Sequence, residues 1–386
     1  MKLKALALGV ALAFPMMASA QSSTSVTLYG VVDTAVEYVS GIWDGSEKHS
    51  SFHFTNLTSS WPSHWGLRGT EDLGNGLKAV FTLESGFNPG TGTSGQGGRL
   101  FGRQAFVGLA GDWGQLAFGR QYNMLMRSML GADILGPNAY GMGTLDSYIP
   151  NARADNAITY MGNFSGFKVG AIWSRGRDNV PAAGPGTGPA STGCGVDYTD
   201  NSACGAWGAM LGYDAANWGI AAGYDSINGQ GDGTAANPTT NWNGLTRDDK
   251  DRRWNINGYV KFGDAKVGLI YLNRKNDAGI SNFGTQLGDR SDLWTLNASY
   301  QVSPAVKLDG SVNYMRFKDA AESSKAWYYV ARATYSLSKR TSVYTSVAYM
   351  NNRGLSNFSA AGGTAGLRAE NGGNSTAVMA GLRHNF

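Results

Sequence analysis

Arg253-Trp254-Asn255-Ile256-Asn257-Gly258-Tyr259-Val260-Lys261-Phe262 alternates two chemistries residue by residue. Trp254, Ile256, Gly258, Val260 and Phe262 share one face, while Arg253, Asn255, Asn257, Tyr259 and Lys261 share the other. A β-strand projects successive side chains to opposite sides, so the stretch reads as a strand with one apolar and one hydrated face. The same division separates Val306, Leu308, Gly310, Val312 and Tyr314 from Lys307, Asp309, Ser311 and Asn313. It returns in Leu77, Ala79, Phe81 and Leu83 against Lys78, Val80, Thr82 and Glu84. One face wants hydrocarbon and the other wants water.

A soluble sandwich alternates too, so aromatic placement, connection length and strand number have to decide. Many apolar registers begin or end in a ring, as with Trp207 and Tyr213, Trp218 and Tyr224, Trp294 and Tyr300, or Trp327 and Tyr335. In a tilted strand such spacings match the height of a membrane's apolar band and put rings at both interfaces. Tight connections rich in Gly, Asn, Asp, Ser or Pro fall at residues 72–76, 111–114, 163–166, 214–217, 263–264, 303–304 and 336–339. Long ones cover about 40–59, 88–98, 123–152, 176–205, 228–250, 276–289, 319–324 and 352–373. Seven short and eight long connections join about sixteen strands, an even number with both termini on the short-turn side. The expected fold is all-β: a 16-stranded antiparallel up-and-down transmembrane β-barrel, closed so that no strand edge faces lipid.

At the N-terminus, Lys2 and Lys4 precede an apolar run from Ala5 to Phe14, then Pro15 and Ala18-Ser19-Ala20. That pattern predicts a cleaved secretory signal over 1–20 and a single barrel domain over 21–386. Losing the two lysines lowers the formal charge from +4 to about +2. Glycine stands at 55 and proline at only 10, with 11% aromatic residues, so the chain is not a disordered Pro/Gly sequence. After the signal no apolar run reaches the ~20 residues of a spanning helix, which excludes a helical membrane protein. Acids and bases mixed along a nearly neutral chain give no support to nucleic-acid binding. Cys194 and Cys204 share one Gly/Pro/Ala-rich segment of an exported chain, and a disulfide is expected between them.

Several segments together resemble the general porins of Gram-negative bacteria, in particular the β-proteobacterial type. They are Val26-Thr27-Leu28-Tyr29-Gly30-Val31-Val32-Asp33, Gly66-Leu67-Arg68-Gly69-Thr70-Glu71-Asp72-Leu73-Gly74-Asn75-Gly76-Leu77-Lys78 and Arg103-Gln104-Ala105-Phe106-Val107-Gly108-Leu109. Phe118-Gly119-Arg120-Gln121, Asp155-Asn156-Ala157-Ile158-Thr159-Tyr160 and Gly381-Leu382-Arg383-His384-Asn385-Phe386 follow in order along the whole mature chain. The resemblance implies a homotrimer of sixteen-stranded barrels in outer-membrane lipid, each passing ions and small hydrophilic solutes, with the third long loop folded inward. It also implies that the terminal Phe386 is read by the outer-membrane assembly machinery. The third long segment, residues 123–153, fits the inward position: Met124, Leu125, Met126, Met129, Leu130, Ile134 and Leu135 suit packing against a wall.

A diffusion pore selects by width and fixed charge. The basic candidates are Arg68, Arg103, Arg120 and Arg153, with His64; the acidic ones are Glu84, Asp133 and Asp146. Parity puts His64, Arg68 and Glu84 on hydrated faces, and Arg153 with Asp155 and Thr159. Strict alternation sends Arg103 and Arg120 toward lipid, where an arginine is expensive, so a bulge or strand end has to re-aim each into the lumen. His64 stands where a similar porin carries arginine, and its charge would change below about pH 6.5.

Other signals are weak. Gly90-Thr91-Gly92-Thr93-Ser94-Gly95 matches a dinucleotide fingerprint by letter, but no helix is expected after it, and a loop tip is the better reading. His49 and His53 read as solvated loop residues without metal partners, and no metal or cofactor is expected. Three functional classes follow: a general or anion-leaning porin, with a substrate-selective channel as its alternative; an outer-membrane enzyme; and a structural barrel. The four histidines sit in no recognisable Ser or Asp constellation, which disfavours the enzyme.

Overall fold

Alternation of the kind seen at residues 253–262 builds one antiparallel sheet that closes on itself. The computed structural model describes residues 24–55, 57–136, 138–146, 153–176, 203–229, 245–277, 287–318, 320, 322–362 and 367–386. Its strands are β1 (Ser25–Trp43), β2 (Lys48–Thr55), β3 (His64–Gly74), β4 (Leu77–Gly86), β5 (Gln104–Gly111), β6 (Gly114–Tyr122), β7 (Arg153–Phe164), β8 (Phe167–Arg175) and β9 (Gly205–Asp214). The second half continues with β10 (Trp218–Asn228), β11 (Lys250–Phe262), β12 (Ala265–Asn276), β13 (Arg290–Gln301), β14 (Val306–Lys318), β15 (Lys325–Ser336), β16 (Thr341–Arg353) and β17 (Asn374–Asn385). Neighbours in sequence are neighbours in space, and β1 pairs with β17 to close the ring.

Seventeen strands make sixteen staves, because β2 and β3 are two parts of one stave. The near-terminal half of β1 pairs with β3 and its far half with β2, across the break at residues 56–63. This corrects one expectation. Residues 40–59 are not a long loop: β1 runs on to Trp43 and turns through residues 44–47 into β2, which carries His49 and His53. The seven tight turns fall where the sequence placed them.

The closing β1–β17 ladder is extended by Gly30 and Phe386, with Phe386 N donating to Gly30 O at 3.0 Å and Gly30 N to Phe386 O at 3.1 Å. A Cβ on Gly30 would meet the Phe386 ring at 2.4 Å, so the glycine is what lets the ring lie across the seam.

The outward register is apolar and exposed, with Leu211 60%, Ile256 49% and Leu296 49% accessible. Rings border this band. Tyr271 lies between Trp254 and Trp294, edge-on to the first and tilted to the second, and Tyr314 meets Trp327 with centroids 4.4 Å apart, while Tyr213, Trp218 and Phe167 cluster near the short turns. Amphipathic rings at two levels are the signature of a membrane-spanning barrel.

The inward register is less uniform than its sequence suggests. On β12–β17 it carries Ile270, Leu272, Leu293, Met315, Tyr328, Met350 and Met379, packed in one core with Leu135, Tyr140, Met142 and Leu145. Asp309 and Asn313 are buried on the same wall, the first in an ion pair with Arg332. Water therefore lines only part of the inner face.

Candidate functional site

Asn123 opens the segment that lies on this inner face. Its Oδ1 accepts from Met126 N at 2.9 Å, an N-cap that starts the helix Met124–Met129. Met124, Leu125, Met126 and Met129 are buried, which accounts for the apolar character of the segment; Leu130 stays exposed. Glycines on the wall make room for it. A Cβ on Gly223 would fall 2.3 Å from Ser128 Oγ, one on Gly268 2.3 Å from Ala132 O, and one on Gly170 2.6 Å from Met124 Sδ.

Polar side chains of the inward register hold the segment. Asn255 Nδ2 donates to Ser128 Oγ at 2.8 Å and Asn257 Nδ2 to Ser128 O at 3.1 Å. Asn297 Nδ2 donates to Ala132 O at 3.2 Å. From the other side Tyr140 OH donates to Glu37 Oε1 at 2.7 Å, and Ala139 N to Thr58 O at 2.8 Å. The segment thus contacts walls on β1, β11 and β13.

A guanidinium cluster gathers on β3–β7. Arg103 Nε donates to Glu84 Oε1 at 2.6 Å, and Tyr29 OH donates to Glu84 Oε2 at 2.9 Å. Arg68 stands over the Tyr29 ring at 5.1 Å. His64 Nδ1 lies 2.7 Å from Pro62 O, and its Nε2 is 4.0 Å from Glu84 Oε2. Arg120 donates to Gly102 O at 2.8 Å and forms an ion pair with Asp155, which Arg99 also approaches at 3.6 Å. Arg153 is buried over the Tyr122 ring at 5.2 Å.

Both arginines that alternation sent toward lipid turn inward, each by a different device. Arg103 precedes β5, at a strand end. Arg120 sits in a bulge: Gly119 pairs with Ala157 and Gln121 with Ala154, leaving one residue on β6 opposite two on β7. Gly119 and Asn156 take positive φ, 125° and 47°, to accommodate it. The same bulge overturns one parity argument. Ala154, Ala157 and Thr159 are buried together, so Arg153 does not simply share a face with Asp155 and Thr159. Asp155, which the sequence reading left out of the acidic set, is the partner of Arg120; its separation of two residues from Arg153 was the available signal.

The acidic trio does not form one row. Glu84 lies among the arginines. Asp146 is buried beside Arg253, whose Nε reaches Asp146 Oδ2 at 2.9 Å while its Nη1 reaches Asp251 Oδ1 at 2.5 Å, so it anchors the segment to β11. Asp133 is half-buried in the segment, accepts from Gly136 N at 3.2 Å, and lies in the field of Arg332 and Lys266. Burial raises its pKa to about 6.

His53 and His49 do meet acids, contrary to the loop reading. His53 Nε2 lies 3.1 Å from Glu37 Oε2, and His49 Nε2 lies 2.5 Å from Asp44 Oδ2 in an exposed cap of Asp44, Glu47 and His49 on the β1–β2 turn. Cys204 is buried; Cys194 and the signal segment 1–20 lie outside the described residues.

A closed barrel with an apolar belt, a polar interior and an arginine cluster beside an inward segment has counterparts among known proteins. A family model described as Gram-negative porin matches residues 5–355. The chain belongs to that porin family. This porin is 32% identical over 411 aligned positions to an outer membrane porin protein of Bordetella pertussis, covering 95% of this chain and 96% of that one. It is 29% identical to outer membrane porin protein 32 of Delftia acidovorans, over 95% and 96% of the two chains. Among solved structures, the anion-selective porin from Comamonas acidovorans superposes with a TM-score of 0.72 at 25% identity, over 94% of this porin and 100% of that one. An outer membrane protein of Vibrio cholerae in its trimer form shares the fold, with a TM-score of 0.62 at 15% identity over 94% and 99% of the two chains. The porin is an outer-membrane channel for passive diffusion, not an enzyme.

Proposed function

We propose that the porin passes small hydrophilic anions in preference to cations, through a lumen narrowed by the inward-folded segment. The observation that carries this is the β3–β7 cluster, where, among the described residues, the five guanidinium groups of Arg68, Arg99, Arg103, Arg120 and Arg153 gather with the carboxylates Glu84 and Asp155. Fixed positive charge in a narrow, low-dielectric opening attracts anions and repels cations. The anion-selective Comamonas porin supports the same direction. Asp133 supplies opposing charge from the segment, and His64 modulates the cluster from beside Glu84.

The mature chain over 21–386 forms homotrimers in outer-membrane lipid after removal of residues 1–20. A Cys194–Cys204 disulfide closes its long loop, and Phe386 serves the assembly machinery as well as the barrel seam. The test is reversal potential: in a tenfold KCl gradient across a planar bilayer, the sign should report chloride as the more permeant ion. A cation sign removes the proposal.

A further inference from the structure

The stave made of β2 and β3 is broken, and the break faces the lumen. Ala35 pairs with Thr55 and Val31 with His64, so only Val32, Asp33 and Thr34 stand opposite residues 56–63. The surplus chain leaves the wall inward, with Thr58, Ser59, Ser60 and Ser63 all buried. Its sequence, Leu57-Thr58-Ser59-Ser60-Trp61-Pro62-Ser63, is rich in hydroxyls that replace lost ladder bonds. Ser63 Oγ accepts from Asp33 N and donates to Asp33 O, both at 2.9 Å, and Trp61 N donates to Asp33 Oδ2 at 3.1 Å. Ser59 Oγ meets Ser346 Oγ at 2.7 Å, Arg332 Nη1 donates to Ser59 O, and Arg383 Nη1 donates to Ser60 Oγ at 2.9 Å. Side chains of β1, β15, β16 and β17 therefore clamp the bend to the inner wall.

Held on that side, the bend touches both other features of the lumen. Thr58 O accepts from Ala139 N of the inward segment at 2.8 Å. The half-buried Trp61 ring lies against Gly136 of the same segment, where a Cβ would fall 3.2 Å from Cζ3. Gly136 has φ of 82°, so the indole rests on bare backbone in a conformation that favours glycine. At the other end Pro62 O lies 2.7 Å from His64 Nδ1, and Ser63 O accepts from Phe87 N at 3.2 Å. His64 in turn reaches Glu84, the carboxylate paired with Arg103. Residues 58–63 thus run from the inward segment to the arginine cluster, with Pro62 restricting the backbone between them.

Resting on the reading of the lumen as a conducting path narrowed by the inward segment, we propose that residues 57–63 are a strut that fixes the gap between that segment and the arginine cluster, with Trp61 as the positioning residue. Trp61 acts through Gly136: the ring holds the segment at one distance, which the bonds from β11 and β13 on its other side do not set alone.

The test is open-channel noise, recorded from single channels of the purified full-length protein in planar bilayers. A ring that merely lined the lumen would change mean conductance and leave the noise alone. A positioning ring, once removed, lets the segment move while the channel is open. Trp61→Ala should therefore raise the population of displaced segment about tenfold, seen as excess noise and brief substates. Trp61→Phe, which keeps a ring, should stay close to the parent. Ser59→Ala combined with Ser346→Ala loosens the clamp with no change of charge and no contact with the segment, and should also raise the noise. Trp294→Ala, which removes an indole from the lipid-facing side, should not. Parent-like noise in Trp61→Ala, whatever its mean conductance, or equal noise in Trp61→Ala and Trp294→Ala, overturns the strut while leaving a working porin. If Trp61→Ala fails to assemble, the serine pair decides, and parent-like noise there overturns it. Absence of any channel in the unaltered protein removes the porin reading, and the strut with it.

Discussion

Arg103 and Glu84 form an ion pair at 2.6 Å, although plain strand alternation puts the arginine on the lipid side. The pairing is possible because Arg103 lies just before β5, where its backbone N still bonds to Glu84 O at 3.1 Å but its side chain is free of the strand's register. Glu84 also takes the Tyr29 hydroxyl, so a single carboxylate organises a cation and a phenol.

Replacing that carboxylate should therefore expose the charge it now offsets. Glu84→Gln is expected to shift the reversal potential in a KCl gradient further toward chloride. Loss of the charged hydrogen bond should cost roughly 1.5–3 kcal/mol, read as earlier thermal dissociation of the native form on gels. An unchanged selectivity would mean that the pair lies off the ion path.

A second expectation concerns pH. Burial lifts the Asp133 pKa to about 6, above the value of an unfolded aspartate, so ionisation works against the fold. Its effect on stability is absent below about pH 4, grows as a penalty as pH rises through about 6, and is relieved again on acidification. In the channel the sign is equally definite: between about pH 8 and pH 5 the segment loses one negative charge, and anion preference should rise. Asp133→Asn should reproduce the acidic selectivity at high pH and flatten this step. A step that survives in Asp133→Asn points instead to His64, and His64→Gln then identifies it.

The glycine seat on the inner wall predicts a steric effect. Gly223→Val brings a branched side chain against Ser128, where even a Cβ would lie 2.3 Å from Oγ. Overpacking of this kind costs roughly 1–3 kcal/mol. The helix Met124–Met129 should be displaced from β10, seen as altered single-channel conductance and increased open-channel noise. Gly45→Val, on an exposed turn with open space around it, should not have this effect on conductance.

Asp146→Asn addresses the other end of the segment. Arg253 keeps Asp251 but loses the charge of Asp146, so the loss should be roughly 1–3 kcal/mol. Faster voltage-induced closure of the variant would report that the anchored segment has loosened. Identical closure kinetics would confine Asp146 to stability alone.

Strand number, turn positions and the apolar belt were legible because each is encoded by neighbours in sequence. Period-two alternation in residues 253–262 and Gly/Asn turns such as residues 74–77 are local signals. What alternation missed depends on partners far along the chain. The β6–β7 bulge takes its shape from Gly119 and Asn156 together, 37 residues apart, and it decides where Arg120 points. The apolar inward residues of β12–β17 make sense only once Tyr140 and Leu145 are seen packed on them. The β1–β2 turn reads as loop in the sequence because its polar tip, Asp44 to His49, gives no hydrophobic period.

Adjacent residues of one strand face different solvents. This is tested most directly by a membrane-impermeant charged thiol reagent on channels in a bilayer, with Cys194 and Cys204 replaced by serine. In Arg68→Cys the reagent should react from the aqueous side and change conductance in discrete steps. In Leu67→Cys, one residue away on the opposite register, the current should not change. Reaction at both positions alike, or at Leu67→Cys alone, would contradict the assignment of the polar register to the water-filled lumen.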